Sequence, residues 1–197
     1  MPKNPRHRIL LLDGHPDAES FCAALHLAYK TGALASGAEV RELVLRDLKF
    51  DPNLAFGYRA RTELEPDLLH AQESIRWAQH IVVTHPVWWG SWPALMKGFF
   101  DRVFLPGFFF RKIPGASFRW EKLLTGRSAR IIYTLNTPRA FWWLAGRPSY
   151  MALKLATLGY CGVAPIRGTP IGIVRLSTPE SRKRWLEKIQ KLGAKRG

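Results

Sequence analysis

This sequence predicts an α/β chain folded as a three-layer, doubly wound, five-stranded parallel sheet. Three observations carry that prediction. Five short apolar runs are bounded by turn residues, and helical patterns lie between successive runs. The 197 residues, 47% hydrophobic and 12% aromatic, suffice for one substantial core and exclude a disordered chain. Strands alternating with helices build βαβ units, whose right-handed crossovers cover a parallel sheet on both faces. One domain spanning residues 1–197 is expected.

The elements follow in order. Arg8–Leu12 is a continuous apolar run stopped by Asp13-Gly14, as in a strand buried on both faces. Ser20 opens a helical pattern with Phe21, Ala24, Leu25, Ala28 and Tyr29 on one side, punctuated by Gly32 and Gly37. Glu39–Leu45 alternates, as a strand near a sheet edge does. Residues 46–63 form a long connection, and a helix is expected over about Asp67–Ala78. Ile81–Thr84 is a third strand, ended by His85-Pro86. Pro93 suits the first turn of a helix running to about Phe104, since its missing N–H is not needed there. Residues 105–127 are a second long excursion, rich in Phe and Arg, before a fourth strand at Ala129–Leu135. A loop over 136–148, a helix over Ser149–Leu158, a fifth strand within Ala164–Val174 and a helix from Ser177 to about Leu192 complete the chain.

The formal net charge is +15 and it is uneven. Residues 1–101 carry 11 basic and 12 acidic side chains, and residues 102–197 carry 19 and 3. Such asymmetry suggests an anionic partner. Two cysteines, Cys22 and Cys161, make no disulfide framework and point to a reducing compartment. The apolar run after MPKNPRHR is too short for a signal peptide, and no stretch approaches the roughly 20 apolar residues of a spanning helix. A cytoplasmic protein is expected. The six histidines show no ligand spacing with cysteine or acid, so no metal is expected.

Ligands of doubly wound sheets bind at the carboxyl ends of strands, where strand order reverses. Three loops lie there. The first, residues 13–22 (DGHPDAESFC), lacks a dinucleotide fingerprint or P-loop but delivers Ser20 at a helix N-terminus, where free N–H groups and the dipole favour phosphate. Its plainer reading is an N-cap with His15 as a surface residue. The second, residues 85–93 (HPVWWGSWP), holds three tryptophans within five positions. Exposed indoles there would cover something flat, whereas packing under helices is the reading favoured for Trp92. The third, residues 136–143 (NTPRAFWW), offers Asn136 and Thr137, with Trp142 and Trp143 read as anchors into the core or a dimer interface. Together the loops describe a phosphate seat beside an aromatic slot, the shape a flavin mononucleotide needs.

The sequence resembles the flavodoxin-like NAD(P)H quinone oxidoreductases, a family that includes flavin-bearing ancillary proteins of potassium efflux systems. The resemblance rests on H-P-x-x-x-S-F at His15–Phe21 and on HPVWWGSWPALMKGFFDRVF at residues 85–104, which is similar to the family's P-x-x-W and P-A-x-x-K-G signature. The position of the fourth strand and the Pro-Ile-x-G stretch before a basic terminal helix agree with it. It implies a flavodoxin-like fold, a homodimer with FMN at each dimer-edge site (FAD being the alternative), and two-electron reduction of quinones by NAD(P)H in a ping-pong order. By position it implies that His15, Ser20, Phe21 and Cys22 hold the phosphate end. It also implies that Pro86, Val87, Trp88, Trp89 and Gly90 line the isoalloxazine, and that Thr134, Leu135, Asn136 and Thr137 border the pyrimidine. Cys22 stands where many members have Asn, so its phosphate contact must be through the backbone or absent, and TLNTP replaces Thr-Thr-Gly-Gly, so no catalytic acid or base is assigned.

Rival readings are a flavin-bearing regulatory subunit of a membrane transporter, an FMN or azo reductase, and a nucleic-acid-binding domain. No nucleic-acid recognition motif accompanies the charge, so no nucleic-acid partner is expected. The basic excess lies with Phe108–Phe118, with Arg111, Lys112 and Arg119, and with Arg139–Lys154. Basic side chains beside exposed aromatics fit peripheral contact with an anionic membrane, where lipid quinones reside.

Overall fold

Apolar runs without alternation force strands into the middle of a layered structure, and the computed structural model, which describes residues 7–115 and 118–195, shows that outcome. Strands β1 (Arg8–Asp13), β2 (Glu39–Val44), β3 (His80–Pro86), β6 (Ser128–Leu135) and β7 (Ile166–Gly172) form a parallel sheet in the order β2-β1-β3-β6-β7. Strand order reverses between β1 and β3, as in flavodoxin-like sheets. The partly exposed β2 is an edge strand, as its alternation predicts.

Successive side chains of β1 feed opposite layers. Ile9 and Leu11 join Leu25, Tyr29 and Ile189 beneath α1 (Phe21–Ala35) and α6 (Pro179–Ala194). Leu10 and Leu12 join Ile75, Phe99 and Leu153 beneath α2 (Pro66–Trp77), α3 (Ala94–Val103) and the helices after β6. Helices α1 and α6 cross closely at two glycines. A methyl on Gly32 would overlap the Gln190 carbonyl, and one on Gly193 would overlap that of Tyr29.

Three expectations are corrected. His85-Pro86 does not end β3, which runs to Pro86. Its pairing with β1 stops at Thr84, so beyond that point only β6 lies alongside, and a proline without an N–H is tolerated on the open side. The excursion after α3 contains a small antiparallel hairpin, β4 (Phe110–Lys112) with β5 (Trp120–Lys122), although residues 116 and 117 within it lie outside the described residues. The loop over 136–148 contains α4 (Trp142–Ala145), and α5 (Arg147–Met151) then passes into a π-helical turn at Ala152–Leu158. Pro148 opens α5 from its first turn, where its missing N–H costs nothing.

The two segments that carry the charge excess lie at opposite edges of the sheet. The hairpin stands at the amino edge, with Trp120 stacked on Tyr160 at 4.3 Å and donating its indole N–H to the Tyr160 carbonyl at 2.9 Å. Helices α4 and α5 begin at the carboxyl edge. Buried Arg102 of α3 ties the long connection before α2 by bonding the carbonyls of Asp51 and Glu63 and pairing with Glu65 at 2.8 Å.

Candidate active site

The first loop leaves β1 at Asp13 and is ordered by its own polar groups. Gly14 N–H donates to the Thr84 carbonyl at 2.8 Å, and His15 N–H to Asp13 Oδ1 at 3.1 Å. Asp17 N–H reaches His15 Nδ1 at 3.0 Å, and Glu19 N–H reaches Asp17 Oδ1 at 2.9 Å. Ser20 then caps α1, accepting Ala23 N–H at 3.2 Å. The next N–H groups, of Phe21 and Cys22, belong to the helix turn that has no carbonyl partner of its own. They lie at the positive end of a 15-residue helix, where an anion is favoured. Because His15 Nδ1 accepts the Asp17 N–H hydrogen bond, it carries no proton and the imidazole is neutral, consistent with burial lowering the His15 pKa. Cys22 is buried, shares a 3.1 Å hydrogen bond with Thr134 Oγ1, and has its thiol pushed up to about 12 by burial. It therefore offers a backbone N–H and no thiolate.

The second loop is a two-residue hairpin. Trp88 and Ser91 exchange backbone bonds of 3.0 and 2.9 Å, leaving Trp89 and Gly90 at the tip. Both have positive φ, 51° and 71°, as a type I′ turn requires. A glycine adopts this freely, whereas a bulky residue does so under strain. Trp89 is nevertheless held there with its side chain fully exposed (104%), and Trp88 is 44% exposed. The His15 ring meets Trp88 edge-on with centroids 5.5 Å apart, so the first and second loops adjoin. Val87 N–H is committed to the Thr134 carbonyl at 2.8 Å and Trp88 N–H to Ser91, which leaves Trp89 and Gly90 to present N–H groups to a ligand. Pro86 is buried in the strand beneath.

The third loop supports more than it lines. Thr134 and Leu135 are buried, Asn136 is exposed, and Thr137 is half-buried. Asn136 Oδ1 accepts Arg175 N–H at 2.9 Å, which draws in the segment after β7. Ile173 in that segment has φ 55°, a conformation disfavoured for a β-branched residue. Beneath the site His85 donates from Nδ1 to the Pro86 carbonyl at 2.9 Å and lies parallel to Tyr133 at 6.0 Å. Burial lowers the His85 pKa to about 4 and raises that of Tyr133 to about 12. Neither is poised to exchange a proton near neutrality. The Thr84 hydroxyl and His85 Nε2 are buried without a hydrogen-bond partner.

Trp92 packs as expected, its indole N–H on the Ser149 carbonyl at 3.0 Å and its ring against Phe100. Trp142 is anchored by a 2.9 Å bond to the Tyr133 hydroxyl, whereas Trp143, 60% exposed, is not in the core. Sequence reasoning missed Asp13, Arg46, Ile173 and Arg175 as parts of this edge. Arg46 follows β2 and pairs with buried Asp13 at 2.6 Å, a link visible only once β2 lies beside β1. Among the described residues no group of three or more His, Cys, Asp or Glu could hold a metal.

Helix terminus, strained aromatic turn and strand-order reversal meet at one sheet edge, and this chain belongs to the family described as having a flavodoxin-like fold, which it matches over residues 7–193. Among its relatives, a ribosyldihydronicotinamide dehydrogenase-like protein of Penicillium crustosum is 29% identical over 153 residues, 66% of this chain and 57% of that protein. An uncharacterised NAD(P)H oxidoreductase of Escherichia coli is 30% identical over 133 residues, 60% of this chain and 65% of that one. The chain thus spans less than two thirds of either curated relative. The solved structure of Smu.1420 from Streptococcus mutans superposes with a TM-score of 0.81 at 26% identity, covering 95% of this chain and 99% of the other.

Proposed function

We propose that this protein binds FMN at the carboxyl edge of its sheet and passes hydride from NAD(P)H to quinones or similar acceptors in a ping-pong order. The observation that carries this reading is Trp89, fully exposed and held at positive φ, beside a phosphate seat reached through the His15–Trp88 contact. A strained aromatic facing solvent at a strand-order reversal is the mark of a built site. The naming of the two relatives as a dehydrogenase-like protein and an NAD(P)H oxidoreductase supports it.

The residues present fit the group. Phe21 and Cys22 N–H with the Ser20 hydroxyl would take the phosphate, and His15 would border it. Trp88 and Trp89 would cover the ring and exclude water, while Trp89 and Gly90 N–H groups would meet its polar edge. Pro86 and Val87 set the floor. Thr134, Leu135, Asn136 and Thr137 would set the wall, Thr134 tying it to Cys22 of the first loop and Val87 of the second. Bound FMN supplies a reversible two-electron carrier, and the protein supplies position and electrostatics. The nicotinamide and the acceptor would use the same exposed face in turn.

The whole chain would act as one flavin-binding domain, paired as a homodimer that covers the exposed Trp89, Phe141, Trp143 and Leu144 beside the site. No helix among the described residues is long and apolar enough to cross a membrane. Two buried, unpaired cysteines favour a reducing, cytoplasmic setting. The amino-edge hairpin, with Phe118 and Ile113 exposed among Arg111, Lys112 and Arg119, is the surface for any contact with anionic lipid.

Purified protein is expected to be yellow, to release FMN on denaturation, to oxidise NAD(P)H with a quinone, and to sediment as a dimer. A colourless protein that takes up no added FMN overturns the flavin reading. A species of 22.5 kDa at micromolar concentration overturns the dimer.

A further inference from the structure

The loop that leads to the proposed phosphate seat is built on a buried carboxylate, a charge that a phosphate would avoid. Asp13 ends β1 with its side chain toward α1, in the layer of Ile9 and Leu11, and is 1% exposed. Its Oδ1 holds His15 N–H, and the loop continues through His15 Nδ1 and Asp17 Oδ1 to the Ser20 cap of α1, so the carboxylate is built into the segment that presents the seat. A buried anion at this point repels a second anion far more strongly than it would in water.

The structure also shows why Asp13 stands there and what offsets it. Oδ1 accepts His15 N–H at 3.1 Å and so fixes the first bend of the loop. Oδ2 receives Arg46 Nη1 at 2.6 Å, and the same nitrogen donates to the His15 carbonyl at 3.2 Å. Arg46 thus grips both ends of the Asp13–His15 bend while cancelling the charge that shapes it. Its side chain is 20% exposed, so the pair sits at the boundary of the protein where water screens it little.

We propose that Arg46 is a positioning residue for phosphate recognition, acting through Asp13. The carboxylate preorganises the loop, and the guanidinium makes that arrangement compatible with a bound phosphate monoester. The pair therefore tunes the preference for FMN over the same ring without phosphate. This inference rests on the flavin reading for its ligand, and on the first loop alone for its geometry.

The consequence is a set of effects that depend on phosphate. Asp13→Asn keeps an oxygen for His15 N–H and removes the charge, so FMN affinity should rise about threefold to tenfold with riboflavin affinity unchanged. Arg46→Gln leaves Asp13 uncompensated, so FMN affinity should fall tenfold or more, about 1.4 kcal/mol per factor of ten, with riboflavin changing less than threefold. The double variant should return FMN affinity to within about threefold of the parent.

The test is fluorescence titration of the four proteins with FMN and with riboflavin, alongside melting temperatures in inorganic phosphate at fixed ionic strength. Phosphate should stabilise Asp13→Asn most and Arg46→Gln least. Equal losses for FMN and riboflavin in Arg46→Gln would make the residue merely structural and overturn the proposal. A double variant no better than Arg46→Gln would mean that Arg46 acts on phosphate directly, which also overturns it. If neither flavin binds the parent but the order with inorganic phosphate holds, the flavin reading falls and the role of the pair stands. If the order fails with phosphate too, the proposal falls.

Discussion

The two edges of the sheet are built by different rules. At the amino edge, positive-φ turns are made by glycine, at Gly107, Gly126 and Gly162. At the carboxyl edge the two non-glycine residues at positive φ among the described residues, Trp89 and Ile173, sit in the loops after β3 and β7. Charge is arranged differently as well. The amino edge gathers cations, among them Arg8, Arg76, Arg127, Arg130 and Arg167, whereas the carboxyl edge mixes Arg46, Arg175 and Arg182 with Asp13, Asp17 and Glu19. Relaxed glycine turns thus lie at one edge, and strained non-glycine turns with charges of both signs lie at the other. Net charge alone therefore does not tell the edges apart, since one basic segment begins at the carboxyl edge and Arg182 lies over the Phe21 ring there at 5.5 Å.

Each edge also buries one histidine of β3, and this pair gives the largest expected effect. Burial lowers the pKa of His85, at the carboxyl edge, to about 4, and burial with cationic neighbours does the same for His80 at the amino edge. In the unfolded chain both titrate near 6.5. The folded state resists a proton that the unfolded state accepts, so stability is full above about pH 6.5 and falls as pH drops toward 4. Each shift corresponds to roughly 3 kcal/mol by the lower limit. Urea unfolding at pH 7 and pH 4.5 should show the loss, and His85→Phe should shrink it by about 2–3 kcal/mol, half of the total. An unchanged difference in that variant would mean that His85 is not held neutral by burial.

A smaller effect separates strain from packing. Trp89→Gly removes a side chain from a left-handed turn, so the protein should gain about 1 kcal/mol and melt roughly 2–4 °C higher. Its flavin affinity should fall tenfold or more. A lower melting temperature would show that Trp89 contributes packing, and would remove the contrast between the edges. The same substitution has no counterpart at the amino edge, where glycine already occupies the turns.

How much of this was legible depends on how local each signal was. The apolar runs of β1, β3 and β6 and the cap at Ser20 are consecutive residues obeying one rule, so the sheet, its parallel sense and the start of α1 could be read directly. The extra length of β3 could not, because Pro86 is tolerated only where β1 has already ended. The hairpin β4–β5 has three residues per strand, too few for alternation to register. At the site, Trp88 and Trp89 announced themselves by density, but the left-handed turn that exposes Trp89 depends on Ser91 closing back onto Trp88. Arg46 and Asp13 are 33 positions apart, and Asn136 and Arg175 are 39 apart, so their pairing exists only through strand order.

The smallest expected effect asks whether the cations of the amino edge act collectively. Burial leads the depression of both histidines, but His80 also faces His7, Arg130 and Arg167, whereas His85 has no charged contributor. His80 shares a 2.8 Å hydrogen bond with Ser128 Oγ through Nδ1 and stacks with Tyr29 at 6.5 Å, both neutral partners. Raising salt from about 0.05 to 0.5 M shortens the screening length from well above 10 Å to about 4 Å. It should therefore raise the His80 pKa by a few tenths and leave that of His85 in place. Proton NMR titration of the two imidazoles at both salt concentrations reads the difference within one molecule. Equal movement of the two would mean that charge does not distinguish the edges, and that burial alone sets both values.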